Sequence, residues 1–291
     1  MRERGKGQGE KTLICYSCKR FITPNQFAEI GQYLIKIILV CFILLGCSST
    51  AVAASLSERI EQFPRWNHKP SVKLAKGDLE YPEWMTGTWK VTSTLIEQIA
   101  PLAPDIVTPG FEDNQQYINQ AIAFQVRFGT EYVTSSTEYV TSSKGFLSAF
   151  KSSSPVVVAD RTFNGTKIAE AYLGEDNVYK VKVDPDNPNQ QITFLKGERK
   201  LISKVTGRGR EIPSDHQFIA TEVTQQLFRS PERLYLNEVE TTSDYRLLDP
   251  ENIRAEQMTA IYLSPQDPDY FTAGERPVAL YRYHLDLNRF N

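Results

Sequence analysis

The chain has 291 residues, of which 41% are hydrophobic, and its formal net charge is −2 at pH 7, so a packed core is available. Residues 1–54 contain seven basic and three acidic side chains, which leaves 26 basic and 32 acidic side chains in the rest. A nucleic-acid-binding domain normally carries a basic surface. We therefore predict that nucleic acid is not a partner of this mildly acidic chain.

Cysteine placement limits the chemistry further. The four cysteines lie within the first 47 residues, at Cys15, Cys18, Cys41 and Cys47. The remainder of the chain therefore has no thiolate that could act as a nucleophile or a metal ligand, and no disulfide.

An apolar run from Ile35 to Cys47 is interrupted only by Lys36 and is followed by small residues at 51–54. Its length is typical of a signal peptide and short for a membrane span. We predict that residues 1–54 form an export signal. Three outcomes remain open: cleavage after Ala53 in an A-x-A motif, lipoprotein processing with Cys47 as the lipid anchor, or an uncleaved anchor.

The next part, residues 55–80, is predicted to be a short helix and an extended lead-in. The pattern of Ser55–Phe63 favours a helix, with Ser55 as its cap and Pro64 as its end. Prolines and the absence of periodic apolar residues predict an extended segment over 64–80.

From Trp84 onward the pattern indicates strands, because apolar and polar residues alternate. In Thr88–Leu95, for example, Trp89 and Val91 share one face. A proline-rich loop follows at 98–114, and a helix is predicted at Thr166–Leu173. The predicted strands are Thr88–Leu95, Ile122–Phe128, Pro155–Ala159, Val178–Val183, Gln191–Leu195, Leu201–Thr206, Gln217–Val223, Leu234–Glu240, Ala255–Leu263 and Val278–Leu287.

One seven-residue segment, TEYVTSS, occurs twice in succession, at 130–136 and 137–143. Loops accept insertions at low cost. We interpret the duplication as the lengthening of a hairpin tip or a loop, and we predict a long loop at 129–154.

Many short strands predict a sandwich or a barrel. Gly87-Thr88-Trp89, at the start of the first main strand, resembles the lipocalin, or calycin, signature. In that family the tryptophan closes one end of the barrel under an arginine from near the C-terminus, for which Arg282 and Arg289 are both available. The resemblance implies a mostly β, calycin-like antiparallel barrel over 81–291, closed by Gly87, Trp89 and Arg282.

Three further segments, Tyr81–Thr94, Thr259–Pro268 and Arg276–Tyr283, together resemble an uncharacterised family of cyanobacteria and chloroplasts. Plant members of that family are placed in the thylakoid lumen. The resemblance implies an exported protein of the thylakoid lumen or periplasm, soluble or lipid-anchored, and it carries no known activity.

Candidate chemistry is sparse. The three histidines have no metal-ligand spacing. Thr206–Arg210 is either an anion-binding loop or a turn with two solvated arginines, and Asp184–Asn189 is either a calcium loop or a plain turn. Four strand glutamates could serve glycoside hydrolysis only if two of them face each other across a cleft. These are Glu222, Glu238, Glu240 and Glu256. We predict no catalytic residues, no metal and no cofactor.

The leading hypothesis for function is therefore a non-enzymatic binding protein. A barrel of about eight strands has room for one small apolar ligand, such as a lipid or pigment. Aromatic side chains commonly line such cavities, and the candidates are Trp89, Phe124, Phe128 and Tyr281. One alternative is a lumenal assembly protein that contacts a photosynthetic membrane complex through the loops at 98–114 and 129–154. The other is a carboxylate-based hydrolase.

Overall fold

The computed structural model describes residues 55–134, 138–141, 147–150 and 153–290, and it describes the backbone alone for 132–154. The predicted export signal, with Ala53 and Cys47, lies outside the described residues. In the part that is described, no helix combines the length and the apolar character needed to cross a membrane.

Strands dominate the described chain, and three α-helices interrupt them. The helices are α1 (Leu56–Gln62), α2 (Arg161–Leu173) and α3 (Tyr270–Ala273). The strands are β1 (Lys73–Leu74), β2 (Gly87–Ile99), β3 (Ala121–Thr134), β4 (Glu138–Thr141), β5 (Leu147–Phe150), β6 (Ser153–Ala159), β7 (Val178–Asp184), β8 (Asn187–Leu195), β9 (Arg199–Ser214), β10 (Gln217–Arg229), β11 (Leu234–Asp249), β12 (Asn252–Leu263) and β13 (Ala279–Arg289).

Ten of these strands form one strongly curled antiparallel sheet, a half-barrel. Their order is β6-β3-β2-β13-β12-β11-β10-β9-β8-β7, and β1 pairs with a free stretch of β9. The two edge strands, β6 and β7, are connected by α2, which packs against both β3 and β7. The prediction of a mostly β, barrel-like antiparallel fold is confirmed. Between the edge strands β6 and β7, where a closed barrel would have strand pairing, there is a seam, and α2 occupies it.

Every predicted strand is present, but several are much longer than their sequence pattern indicated. The segment Thr206–Gly209, predicted as a loop or turn, is instead in the middle of β9. Its glycines are needed for close packing rather than for a turn: a Cβ on Gly207 would lie 2.6 Å from Cγ2 of Val72. The prediction of two solvated arginines was wrong for Arg208, whose side chain is only 9% exposed.

Helix α2 begins five residues before its predicted start. Asp160 caps it by accepting a hydrogen bond from the backbone N–H of Phe163 at 2.9 Å. Within the helix, the buried Asn164 accepts from the backbone N–H of Arg127 at 2.6 Å and donates to its carbonyl at 3.1 Å. This side chain therefore satisfies both backbone groups of one β3 residue and fixes the helix at the edge of the sheet.

The duplicated segment contributes strands as well as connections. Its first copy continues β3 as far as Thr134, and its second copy contains β4, which pairs with β5 in a separate two-stranded ladder. The prediction of one long loop over 129–154 was therefore wrong, whereas the alternative of a lengthened hairpin agrees with the pairing of β3 with β6. Residues 135–137 and 142–146 lie outside the described residues.

Apolar side chains cover both faces of the sheet. The concave face holds the larger core, which includes Trp89, Val91, Phe128 and Phe218. The convex face of β12 and β13 is covered by the segment around α1 through a second cluster: Trp66, Met258, Ala260, Tyr262 and Leu280, with Ile60, Phe63 and Ile99 against it.

A buried ion pair connects α1 to that convex face. Arg59 donates from Nε and Nη2 to the two carboxylate oxygens of Glu240, both at 2.6 Å. Tyr262 and Thr242 donate hydroxyl hydrogens to the same carboxylate at 2.8 and 2.9 Å. Glu240 is fully buried and four-fold hydrogen-bonded, so its charge is compensated where water cannot reach it.

Candidate functional site

The Gly87-x-Trp89 motif lies at the start of β2, on the concave face of the curled sheet. Trp89 is completely buried, and its indole N–H donates to the carbonyl of Met85 at 2.8 Å. The guanidinium of Arg289 lies over the indole, 4.4 Å from the ring centroid. Gly87 has φ of +119°, and a Cβ there would lie 2.7 Å from Nη1 of Arg289. The glycine is therefore favoured by its backbone conformation, and a side chain there would also displace the end of Arg289.

Arg289, rather than the predicted Arg282, is the partner of Trp89. Trp89 and Arg289 are register partners across β2 and β13, so their side chains share the concave face. Arg282 is an odd number of residues from Arg289 along β13, so its side chain lies on the opposite, convex face. There its Nε donates to Glu256 at 3.1 Å. The prediction that Arg282 packs over Trp89 was wrong, because alternate residues of a strand point to opposite faces of the sheet.

The four predicted ligand-binding residues all lie on the concave face, but in two clusters. Trp89 and Phe128 belong to the large core, and Phe124 packs against it half-buried. Tyr281 belongs to a neighbouring cluster with Leu95 and Ala279. These side chains are packed against other protein groups. That they line a ligand cavity stays a prediction.

An ionic cluster lies at the seam, where α2 begins. Glu222, on the concave face of β10, accepts hydrogen bonds from Arg208 at 2.7 and 2.9 Å and from Arg161 at 3.1 Å. Arg161 also donates to Asp78 at 2.6 and 2.8 Å. Burial alone would raise the pKa of Glu222, but the two guanidiniums outweigh it, and the pKa lies below its usual value. The cluster fixes the first turn of α2 to the lead-in and to the sheet.

A groove of about 430 Å³ lies between α2 and the concave face of β8–β10. We refer to it below as the α2 groove. Its helix wall and the adjoining β6 end are formed by Ala159, Arg161, Asn164, Gly165, Ile168, Ala169, Tyr172 and Leu173, and its sheet wall by Gln191, Thr193, Leu201, Ser203 and Gln226.

The helix wall of the groove carries partly exposed apolar side chains. Ile168, Tyr172 and Leu173 are 38%, 43% and 45% exposed. The Tyr172 ring centroid lies 6.1 Å from that of Phe124, and its hydroxyl is 3.1 Å from the hydroxyl of Ser93. Burial raises the pKa of Tyr172, and the Ser93 hydrogen bond partly offsets that rise. Tyr172 thus connects the groove with one of the predicted ligand-binding residues.

Sequence reasoning missed the groove-lining residues. The available signal was the i, i+4 spacing of Ile168 and Tyr172 on one side of α2. The facing wall gave no signal, because Gln191, Ser203 and Gln226 become neighbours only through pairing of β8, β9 and β10.

The four strand glutamates proposed for the hydrolase alternative lie on both faces of the sheet. Glu222 faces the concave side between its two arginines. Glu238, Glu240 and Glu256 face the convex side, where each forms an ion pair, with Lys69, Arg59 and Arg282 respectively. Glu222 is thus separated from the others by the sheet itself.

The fold and its groove define a class of protein: an antiparallel β half-barrel whose seam is occupied by a helix. Residues 73–291 match a family described as Domain of unknown function (DUF6816), and the chain belongs to that family. No curated protein and no solved structure is significantly similar to the chain.

Proposed function

We propose that this protein binds a small apolar ligand in the α2 groove. The observation that carries the proposal is the row of half-exposed apolar side chains on α2, at Ile168, Tyr172 and Leu173, directed into a concave space. Ligand pockets are typically concave, largely apolar and about 300–1,000 Å³ in volume. The groove is at the lower end of that range, which suits a single acyl chain or a small ring system of a lipid or pigment.

The two walls of the groove differ in chemistry. The helix wall is apolar apart from Arg161 and Asn164, whereas the sheet wall combines Leu201 with neutral hydroxyl and amide groups. The charged lining residue, Arg161, already donates to Asp78 and Glu222. An apolar ligand would therefore cover the helix wall without leaving a new buried charge unpaired.

We further propose that the chain is exported to a thylakoid lumen or periplasm. The support is in the sequence: an apolar run from Ile35 to Cys47, basic residues before it and Ala51–Ala54 after it. The exported form is soluble if cleavage follows Ala53 and lipid-anchored if Cys47 is processed.

The ligand proposal is tested first by native mass spectrometry and organic extraction of the protein purified from its own host. We expect an apolar molecule at near one per chain. Binding of the neutral fluorescent probe N-phenyl-1-naphthylamine then locates the site. Ile168→Glu places a charge in the groove and should weaken binding at least tenfold, whereas Ile212→Glu, at a residue of β9 that is 60% exposed and outside the groove, should leave it unchanged. Equal effects of the two changes would contradict the proposed site.

A second function is favoured by a different surface. Val107, Leu234 and Phe271 lie at the same end of the sheet and are 41%, 61% and 89% exposed. Exposed apolar side chains that form a continuous patch are typical of protein contacts. They support the alternative of an accessory protein on a photosynthetic membrane complex. In that case Phe271→Asp, and not Ile168→Glu, would abolish co-migration of the protein with the complex on native gels.

A further inference from the structure

One part of the convex face is strongly basic, although the chain after residue 54 has more acidic than basic side chains. Five exposed cations lie there on β7, β9 and β10: Lys180, Lys182, Lys200, Lys204 and Arg229. Among the ion pairs that the described residues form with one another, none involves these five side chains. Their charges are therefore available to an outside partner.

Strand register puts the cations on one face. Lys180 pairs with Phe194, Phe194 with Lys200, and Lys200 with Arg229, in one row across β7–β10. Side chains at directly paired positions share a face, with Cβ atoms about 5 Å apart. The amino groups of Lys180 and Lys200 lie 5.5 and 5.3 Å from the ring centroid of Phe194. The ring is thus flanked by a cation from the strand on each side.

An apolar row lies directly beside the basic one. Two residues along each strand, the paired positions are occupied in order by Lys182, Ile192, Ile202 and Leu227. The three apolar side chains of this row are partly exposed. Together with Phe194 they form an apolar centre, which has cations in the rows on both sides of it and at the β7 edge.

The segment before β1 covers the convex face only as far as this region. Lys69 of that segment forms an ion pair with Glu238 on β11, and Glu238 is the register partner of Gln225. Gln225 in turn pairs with Lys204, so the covered part ends at the third row. We refer to the exposed part, with its five cations and its apolar centre, as the basic convex surface.

The cations of the basic convex surface act together. The Cβ atoms of Lys200 and Arg229 are about 5 Å apart across the strands, and those of Lys180 and Lys182 are about 7 Å apart along one strand. Both distances are shorter than the Debye length of about 8 Å at physiological ionic strength, so the fields of these charges add. A partner with closely spaced negative charges would gain most from them.

We propose that the basic convex surface docks the protein on an anionic lipid membrane. Lysine amino groups reach the lipid headgroups while their alkyl stems lie along apolar neighbours. Anionic headgroups attract such cations, and apolar side chains enter the boundary between headgroups and acyl chains. The apolar centre favours lipid over nucleic acid, because a polyanion is held mainly through its phosphates and would leave that centre exposed to water.

This proposal is independent of the function proposed for the α2 groove. The groove lies on the concave side of β8–β10, and the basic convex surface lies on the other side of the same strands. Contact with a membrane through the convex side therefore leaves the groove accessible.

Vesicle flotation tests the proposal on the protein purified from its own host, so that its N-terminus is the natural one. Vesicles of phosphatidylcholine alone are compared with vesicles of equal parts of phosphatidylcholine and phosphatidylglycerol. We expect about tenfold or tighter binding to the anionic vesicles at low ionic strength, and loss of this preference in about 0.5 M salt. A lipid anchor would raise binding to both kinds of vesicle alike and would not produce the preference.

Two double variants with the same change in net charge locate the surface. Lys180→Gln with Lys200→Gln removes the two cations beside Phe194. It should weaken binding to the anionic vesicles about twentyfold, since each cation near an anionic surface contributes about fivefold. Lys76→Gln with Lys90→Gln, at exposed lysines outside this surface, is the matched control and should leave the affinity nearly unchanged.

Each contrary result overturns a defined part of the proposal. Equal binding to neutral and anionic vesicles would overturn membrane docking. Equal losses in the two double variants would assign the binding to net charge and overturn this surface as its location. Binding to a single-stranded oligonucleotide without binding to vesicles, lost when Lys180 and Lys200 are changed, would overturn lipid as the partner. The α2 groove is tested separately, because binding of N-phenyl-1-naphthylamine is measured without vesicles.

Discussion

Glu240→Gln should release α1 from the convex face of the sheet. The substitution keeps the shape of the side chain but removes the charge that compensates Arg59, whose side chain is 7% exposed. The remaining guanidinium would be buried beside a neutral amide. Removing one partner of a buried ion pair typically costs about 3–5 kcal/mol.

The structure sets an upper limit to the loss of stability that Glu240→Gln can cause. Arg59 is held by α1, so the chain can restore its hydration by detaching the segment around Trp66 rather than by unfolding the sheet. The loss of stability then equals the free energy with which that segment docks. We therefore expect two effects together: a decrease of about 3 kcal/mol in the free energy of unfolding, and trypsin cleavage at Arg59 and Arg65 under conditions in which the wild-type chain resists it.

Urea denaturation and limited proteolysis measure these two effects. The companion change Arg59→Met, Glu240→Met replaces the pair with apolar side chains and should cost much less than the sum of its single changes. Arg254, whose ion pair with Asp286 is about half exposed, is the control, and Arg254→Met should cost less than about 1 kcal/mol. The reasoning is refuted if Glu240→Gln has the stability and protease resistance of this control.

Three further predictions concern the start of β2 and the seam. Arg289→Ala should lower the melting temperature clearly more than Arg282→Ala, because Arg289 covers the buried Trp89 whereas Arg282 is a surface ion pair; thermal unfolding of the two variants decides this. Gly87→Ala should cost about 1–3 kcal/mol of unfolding free energy, since φ is +119° there, and Gly129→Ala, where a Cβ meets nothing within 4 Å, serves as its control; similar urea midpoints would contradict the strain. The pKa of Glu222 is lowered in the folded chain, so the stability it contributes is complete above the ordinary glutamate pKa of about 4.3 and is lost as pH falls through the lowered value; in Glu222→Gln that part of the acid-induced loss should be absent from stability curves measured below pH 5.

Much of the fold could be predicted from the sequence because alternation and turn residues are local signals. The cap that Ser55 forms on α1 is an example. Its hydroxyl accepts from the backbone N–H of Glu58 at 3.1 Å, and the carboxylate of Glu58 accepts from the backbone N–H of Ser55. The turn at Asp249–Asn252 is another, since Asp249 accepts hydrogen bonds from the two residues that follow Pro250.

What the sequence did not reveal depends on contacts between distant parts of the chain. Gly207 lacks a side chain because Val72 packs over it, more than 130 positions earlier, and no local pattern contains that information. The choice between Arg282 and Arg289 could have been made correctly, because only Arg289 alternates in step with Leu285 and Leu287, which share the core with Trp89. The α2 groove could not have been found, since its walls meet only after the sheet has curled.

The helix at the seam lets the size of the internal space change without a change of strand register, whereas a closed barrel links the two. In a closed barrel, strand number and tilt determine the internal space, and changing that space requires a new register for the whole ladder. Here the width of the groove depends on how closely α2 approaches β8, and Gly165 lies at that approach, where a Cβ would lie 2.8 Å from the side-chain amide of Gln191. Substitutions on one helix are thus sufficient to alter the size of the groove, and under the proposed function the size of the ligand, while the backbone ladder remains as it is. The dimensions of the groove can therefore vary within this architecture at little cost in foldability.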